Sequence, residues 1–114
     1  MIATLKGFAQ QLVPVNGIKI NAVTGGSGPS ILLLHGWPET WWEWHHVMPQ
    51  LAAHFSVVAI DLRGAGFSDC PLGGYDKATM ARDAHEVMAA LGHQRYAVCG
   101  HDIGGMVALP LAAV

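Results

Sequence analysis

The sequence predicts a doubly wound α/β sheet, an antiparallel hairpin followed by parallel strands with flanking helices, on three observations. Ile31–Leu34 and Ser56–Ile60 are short apolar runs without polar alternation, as strands covered by helices on both faces require. Segments with apolar residues at helical spacing follow each of them. The third observation is Gly100-His101-Asp102-Ile103-Gly104-Gly105, which follows the apolar run Tyr96–Cys99 and opens onto another from Met106 to Val114. A strand, a polar residue with glycine two before and two after it, then a helix, is the layout of a turn so tight that the flanking residues nearly touch and must lack a Cβ.

In chain order, Phe8–Val15 and Ile18–Val23 read as two strands joined at Asn16-Gly17, a strong hairpin signal. Gly25-Gly26-Ser27-Gly28-Pro29 is a loop, and Ile31–Leu34 is an interior strand. After Pro38, Trp41, Trp44, Val47, Met48, Leu51 and Ala52 recur at helical spacing, with Pro49 either kinking one helix or opening a second. Ser56–Ile60 is a buried strand ending at Asp61, followed by a flexible polar loop over Arg63–Asp69. Met80, Ala84, Val87, Met88 and Leu91 lie on one face of a helix from about Thr79, which Gly92 stops. Tyr96–Cys99 is the last strand. Pro110 falls inside the helix expected after it, where proline costs about 3 kcal/mol.

The 114 residues allow one domain at most, 1–114. They are 52% hydrophobic and 12% charged, a balance expected of a largely buried sheet. A net charge of −2 without a basic patch argues against nucleic acid. The N-terminus shows no signal peptide, and the run Met106–Val114 is too short to span a bilayer. Cys70 and Cys99 lack metal or redox spacing and read as reduced thiols of a cytoplasmic protein, Cys99 in the core. The seven histidines show neither H-x-x-x-H nor H-E-x-x-H spacing, so neither a metal nor a cofactor is expected.

In a doubly wound sheet, ligands sit beyond the carboxyl ends of the parallel strands. His35-Gly36-Trp37, Asp61-Leu62-Arg63 and Asp102 each follow such an end, so the pattern gathers them on one sheet edge. His35 is expected to pack or hydrogen-bond beneath its loop, and Asp61 and Arg63 to form an ion pair or cap theirs. Trp41 and Trp44 belong to the core by their spacing. Trp37 is either a core residue or a wall of the site. Asp102 itself has two readings: a side chain presented for chemistry, or a polar residue starting a helix. The second leaves the flanking glycines unexplained. A nucleotide-binding domain would need G-x-G-x-x-G at the first strand–helix turn. Gly25-Gly26-Ser27-Gly28 precedes a strand, and Gly64-Ala65-Gly66-Phe67-Ser68-Asp69 lacks the third glycine.

Three segments carry a resemblance over essentially the whole chain: His35-Gly36-Trp37-Pro38-Glu39-Thr40-Trp41-Trp42-Glu43-Trp44, Asp61-Leu62-Arg63-Gly64-Ala65-Gly66-Phe67-Ser68-Asp69, and Gly100-His101-Asp102-Ile103-Gly104-Gly105. They resemble the α/β-hydrolase superfamily, in its epoxide hydrolase and dehalogenase branch. The form His-Gly-aromatic-Pro is more similar to epoxide hydrolases. Haloalkane dehalogenases usually carry Asn at the position of Trp37 and a halide-binding Trp at that of Ile103, and fluoroacetate dehalogenases carry an Arg at the latter.

The resemblance implies that Asp102 is the nucleophile, that the backbone N–H groups of Trp37 and Ile103 form an oxyanion hole, and that Trp37 also touches substrate. One such donor is worth about 3–4 kcal/mol in another enzyme, and a helix N-terminus behind Asp102 favours its ionised form. The implied substrate is a small apolar electrophile, an epoxide or, as the alternative, an alkyl halide. In this family the partner acid, the base histidine and the lid follow the nucleophile. The chain is therefore expected to be the N-terminal portion of an α/β-hydrolase core, truncated after its nucleophile elbow. Alone, it is expected to be alkylated at most once, and either to need a complementary C-terminal fragment or to self-associate through an open sheet edge. A non-catalytic remnant is the remaining alternative.

Overall fold

The computed structural model describes residues 5–113. Residues 1–4, part of the stretch read as lacking a signal peptide, and Val114, the last residue of the predicted closing helix, lie outside the described residues. Strands β1 (Ala9–Val15) and β2 (Ile18–Gly25) pair antiparallel around Asn16 and Gly17. Both turn residues have positive φ, 50° and 79°, the backbone twist that a two-residue hairpin needs. The other edge of β2 pairs antiparallel with β4 (Ser56–Ile60), and β3 (Ser30–Leu34) lies parallel between β4 and β5 (Tyr96–Gly100). The order is β1-β2-β4-β3-β5.

Burial on both faces explains the missing alternation. Leu32, Leu34, Val58 and Ile60 point to a core shared with α2 (Lys77–Ala90) and α3 (Ile103–Ala112). Leu33, Val57 and Ala59 point the other way, onto Trp41 and Met48. Helix α2 begins at Lys77 because Asp76 caps it, its carboxylate accepting from the Thr79 amide at 3.0 Å. It gives way at Leu91 to Gly92, whose φ is +89°.

The spacing after Pro38 resolves into two pieces, a 3₁₀ turn over Trp41–Trp44 and a short helix α1 (Met48–Ala52) with Pro49 in its first turn. Trp41 is buried as expected and Trp44 half-buried. Two expectations fail. Cys99 is exposed, because β5 is an edge strand and nothing described covers that side. The loop after β4 is tied down, with Gly64 N–H donating to the Asp69 carbonyl, Ala65 to Leu62 and Ser68 to Ala65. No helix of the described residues is long and apolar enough to cross a membrane.

Register places the site. Leu34 pairs with Ile60 on one side and Gly100 on the other, so the three parallel strands end level with one another. His35, Asp61 and His101 therefore leave the sheet side by side, with Asp102 one residue on.

Candidate active site

At the end of β5 the chain reverses within Gly100–Gly104. Asp102 has φ +57° and ψ −120°, a conformation that costs a non-glycine residue about 1–3 kcal/mol. The flanking glycines make the turn feasible: a Cβ on Gly100 would meet the Gly104 carbonyl, and one on Gly104 the Leu34 carbonyl. Asp102 directly precedes α3 yet makes no side-chain capping hydrogen bond. It is exposed, and its Oδ2 accepts from the Trp37 amide at 3.1 Å. That amide, then the amide of Ile103, holds the Asp102 carboxyl below the ordinary aspartate range, against a small opposing effect of desolvation.

The loop that brings Trp37 to Asp102 rests on His35. This ring is 1% exposed. Its Nε2 accepts from the Leu62 amide at 3.0 Å, which puts the ring proton on Nδ1, 2.8 Å from the Gly36 carbonyl. His35 thus joins the ends of β3 and β4, as a residue beneath the loop should. Gly36 carries the closest approach, since a Cβ there would sit 2.7 Å from His101 Nδ1 and 2.9 Å from Asp102 Cβ. The Trp37 side chain is 74% exposed, so of its two readings the core one is excluded.

Glu43, in the 3₁₀ turn, reaches both sides of this approach. Its Oε1 accepts from the Gly36 amide at 2.9 Å and its Oε2 lies 2.8 Å from His101 Nδ1.

Asp61 and Arg63 form no ion pair with each other. Asp61 is fully buried and accepts from the amides of Trp41 (2.8 Å) and Phe67 (3.0 Å) and from the Asn21 side chain (3.0 Å). It therefore fulfils the loop-capping alternative. Arg63 turns to α2 and pairs with Asp83. The loop so fixed borders a cavity of about 610 Å³ whose walls include Trp37, Leu62, Tyr75, Met80 and Ile103. Trp37 and Ile103, whose amides act on the Asp102 carboxyl, are among these walls, while Asp102 itself is not.

Sequence reasoning missed Asp83 and Glu43. Asp83 left a trace, a carboxylate among Met80, Ala84 and Val87 on the apolar face of α2, where a charge needs a partner. Glu43 left none, because its partners are backbone and side chain of other loops.

The profile of the family described as alpha/beta hydrolase fold matches residues 29–114. A soluble epoxide hydrolase of a Corynebacterium species is 50% identical over 98 residues, covering 86% of this chain and 34% of that protein. A fluoroacetate dehalogenase of a Burkholderia species is 47% identical over 105 residues, covering 88% and 34%. Among solved structures, the ligand-free epoxide hydrolase CorEH superposes with a TM-score of 0.91 at 47% identity, over 92% of this chain and 37% of that one. The chain thus spans about a third of the length of these relatives. With a mixed sheet ending in a glycine-flanked turn at Asp102 and a family match over most of its residues, the chain belongs to the α/β-hydrolase fold family.

Proposed function

We propose that this chain carries the nucleophile of a hydrolase that opens epoxides through an ester on Asp102. The observation that carries the reading is the exposed Asp102 carboxylate, held at positive φ and turned to the amides of Trp37 and Ile103. In the first step a carboxylate oxygen attacks a ring carbon. One C–O bond forms, the ring C–O bond breaks, and the released alkoxide takes a proton to become a hydroxyl. In the second, water adds to the Asp102 carbonyl carbon, negative charge gathers on the oxygen facing the Trp37 and Ile103 amides, and collapse releases the diol and restores the carboxylate.

Activating that water needs a base. His35 has both ring nitrogens engaged, and His101 Nδ1 is held by Glu43. We therefore assign the base, its partner acid and the proton donor to residues outside these 114, and expect the chain alone to stop at the ester. The exposed indole of Trp37 suits a small apolar electrophile. The free thiols of Cys70 and Cys99 suit a cytoplasmic setting.

The dehalogenase among the relatives favours a second reading, in which the same carboxylate expels a halide from a saturated carbon. Incubation with a reactive aryl epoxide once the exposed thiols of Cys70 and Cys99 have been blocked, followed by peptide mass mapping, tests the first. One adduct, on Asp102 and lost in Asp102→Asn, is expected. No adduct on Asp102, or sustained diol release by the chain alone, overturns it. Labelling by an alkyl halide but by no epoxide favours the second.

A further inference from the structure

We propose that Glu43 is a positioning residue that fixes the Trp37 amide against Asp102, its one carboxylate tying the Gly36 backbone to the His101 ring. The proposal rests on the reading of Asp102 as nucleophile and adds to it the part that sets its distance from the amide.

The two sides of the site arrive from different strands. Trp37 follows β3 and Asp102 follows β5, and the register ends both strands level but does not itself fix the loops beyond them. His35 anchors the first loop toward β4, away from the elbow. On the elbow side, the His101 amide donates to the Leu34 carbonyl at 3.0 Å, below the site. Above that level, the link between the loops beside the Trp37–Asp102 hydrogen bond is Glu43. Oε1 takes the amide of the residue before Trp37, and Oε2 takes the ring of the residue before Asp102. Each partner is thus one residue removed from the contact being set. Glu43 can serve as a strut because its own backbone is fixed: its amide donates to the Thr40 carbonyl at 3.0 Å, and the preceding Trp41 is buried and bonded to Asp61. Its side chain is 18% exposed against 62% for His101, so Glu43 is the anchored partner and His101 the held one.

The chemistry of a carboxylate matters here. It accepts from the Gly36 amide and from an imidazole N–H in either protonation state of the ring. A glutamine at 43 keeps the acceptor for Gly36, and its NH₂ can donate only to an unprotonated Nδ1. The charged groups facing the His101 ring are Glu43, from the 3₁₀ turn, and Asp102, next in the chain.

The test follows Trp37 N–H exchange and the Asp102 carboxyl titration by NMR, and Asp102 labelling by the aryl epoxide, in the wild-type chain, Glu43→Ala and Glu43→Gln. Glu43→Ala is expected to lose Trp37 N–H protection and labelling rate by about tenfold, the scale of a hydrogen bond to a charged group. Its Asp102 titration should move up toward the ordinary aspartate value. Glu43→Gln, which keeps the acceptor for the Gly36 amide, should retain more Trp37 N–H protection and labelling than Glu43→Ala. A loss of fold shows in the melting curves of the variants. If Glu43→Ala leaves both NMR readouts unchanged, or Glu43→Gln loses as much as Glu43→Ala, the proposal falls. If wild-type Asp102 takes no label, the nucleophile reading falls with it. If it labels at the same rate with and without Glu43, the nucleophile stands and the strut does not.

Discussion

Asp83 grips Arg63 through two parallel hydrogen bonds, Nε at 2.6 Å and Nη2 at 2.8 Å, and takes a third from the Asn16 side chain at 2.8 Å. Arg63 Nη1 donates in turn to the Gly73 carbonyl at 2.9 Å. One buried ion pair thereby joins the hairpin turn, α2 and the loop that borders the cavity. Removing either partner strands a buried charge, which costs about 3–5 kcal/mol. Arg63→Ala or Asp83→Ala is therefore expected to lower unfolding free energy on that scale in urea titrations. The double change Arg63→Met with Asp83→Leu should lose less than either, since it buries no unpaired charge.

The direction of the Asp102 shift fixes a pH dependence. Amide donation favours the ionised form, so epoxide labelling should reach its plateau with a midpoint below the ordinary aspartate value of about 3.9. The linkage has the matching sign. A native pKa below the unfolded one adds stability that is present above the unfolded value and lost as pH falls through the native value. Asp102→Asn should remove both the labelling and this share of the acid dependence of melting. Asp102→Gly should instead raise Tm, because glycine adopts φ +57° without strain.

The elements legible in the sequence are those whose physics is local. A strand buried on both faces must be apolar throughout, and Leu32, Leu33 and Leu34 are. A two-residue hairpin needs positive φ, and Asn16-Gly17 supplies it. The turn at Asp102 needs missing Cβ atoms on both sides, and Gly100 and Gly104 supply them. What stayed hidden depends on contacts between loops. The spacing Trp41–Ala52 could not reveal that a 3₁₀ turn would end at Trp44, nor that Glu43 would reach Gly36 and His101. Cys99 looked like core because the residues of an edge strand and a covered one read alike.

That edge is unpaired among the described residues. Along β5, Ala97 and Cys99 are exposed, and on the adjoining α3 so are Met106 and Leu109, at 54% and 75%. An open strand flanked by apolar surface templates pairing with another chain. Sedimentation velocity over a concentration series is expected to show self-association of the chain, and Ala97→Lys should reduce it, since lysine on an edge strand disfavours strand addition. A single monomeric boundary at all concentrations would count against it.

Gly104 and Gly105 are neighbours in the first turn of α3 with opposite constraints. A Cβ at Gly104 would run into the carbonyl oxygens of Leu34 and His35, backbone atoms that cannot rotate away. At Gly105 the nearest atom would be the Gly100 carbonyl oxygen at 3.6 Å, an ordinary contact. Gly104→Ala should therefore push α3 off the end of β3. The cost of overpacking is about 1–3 kcal/mol, and epoxide labelling should fall with it, because the helix start carries the Ile103 amide. Gly105→Ala should gain roughly 0.5–1 kcal/mol from helix propensity and leave labelling intact. Paired thermal melts and labelling rates check both. Equal effects of the two substitutions would mean that Gly104 acts through helix propensity alone and not through the close approach of α3 to β3.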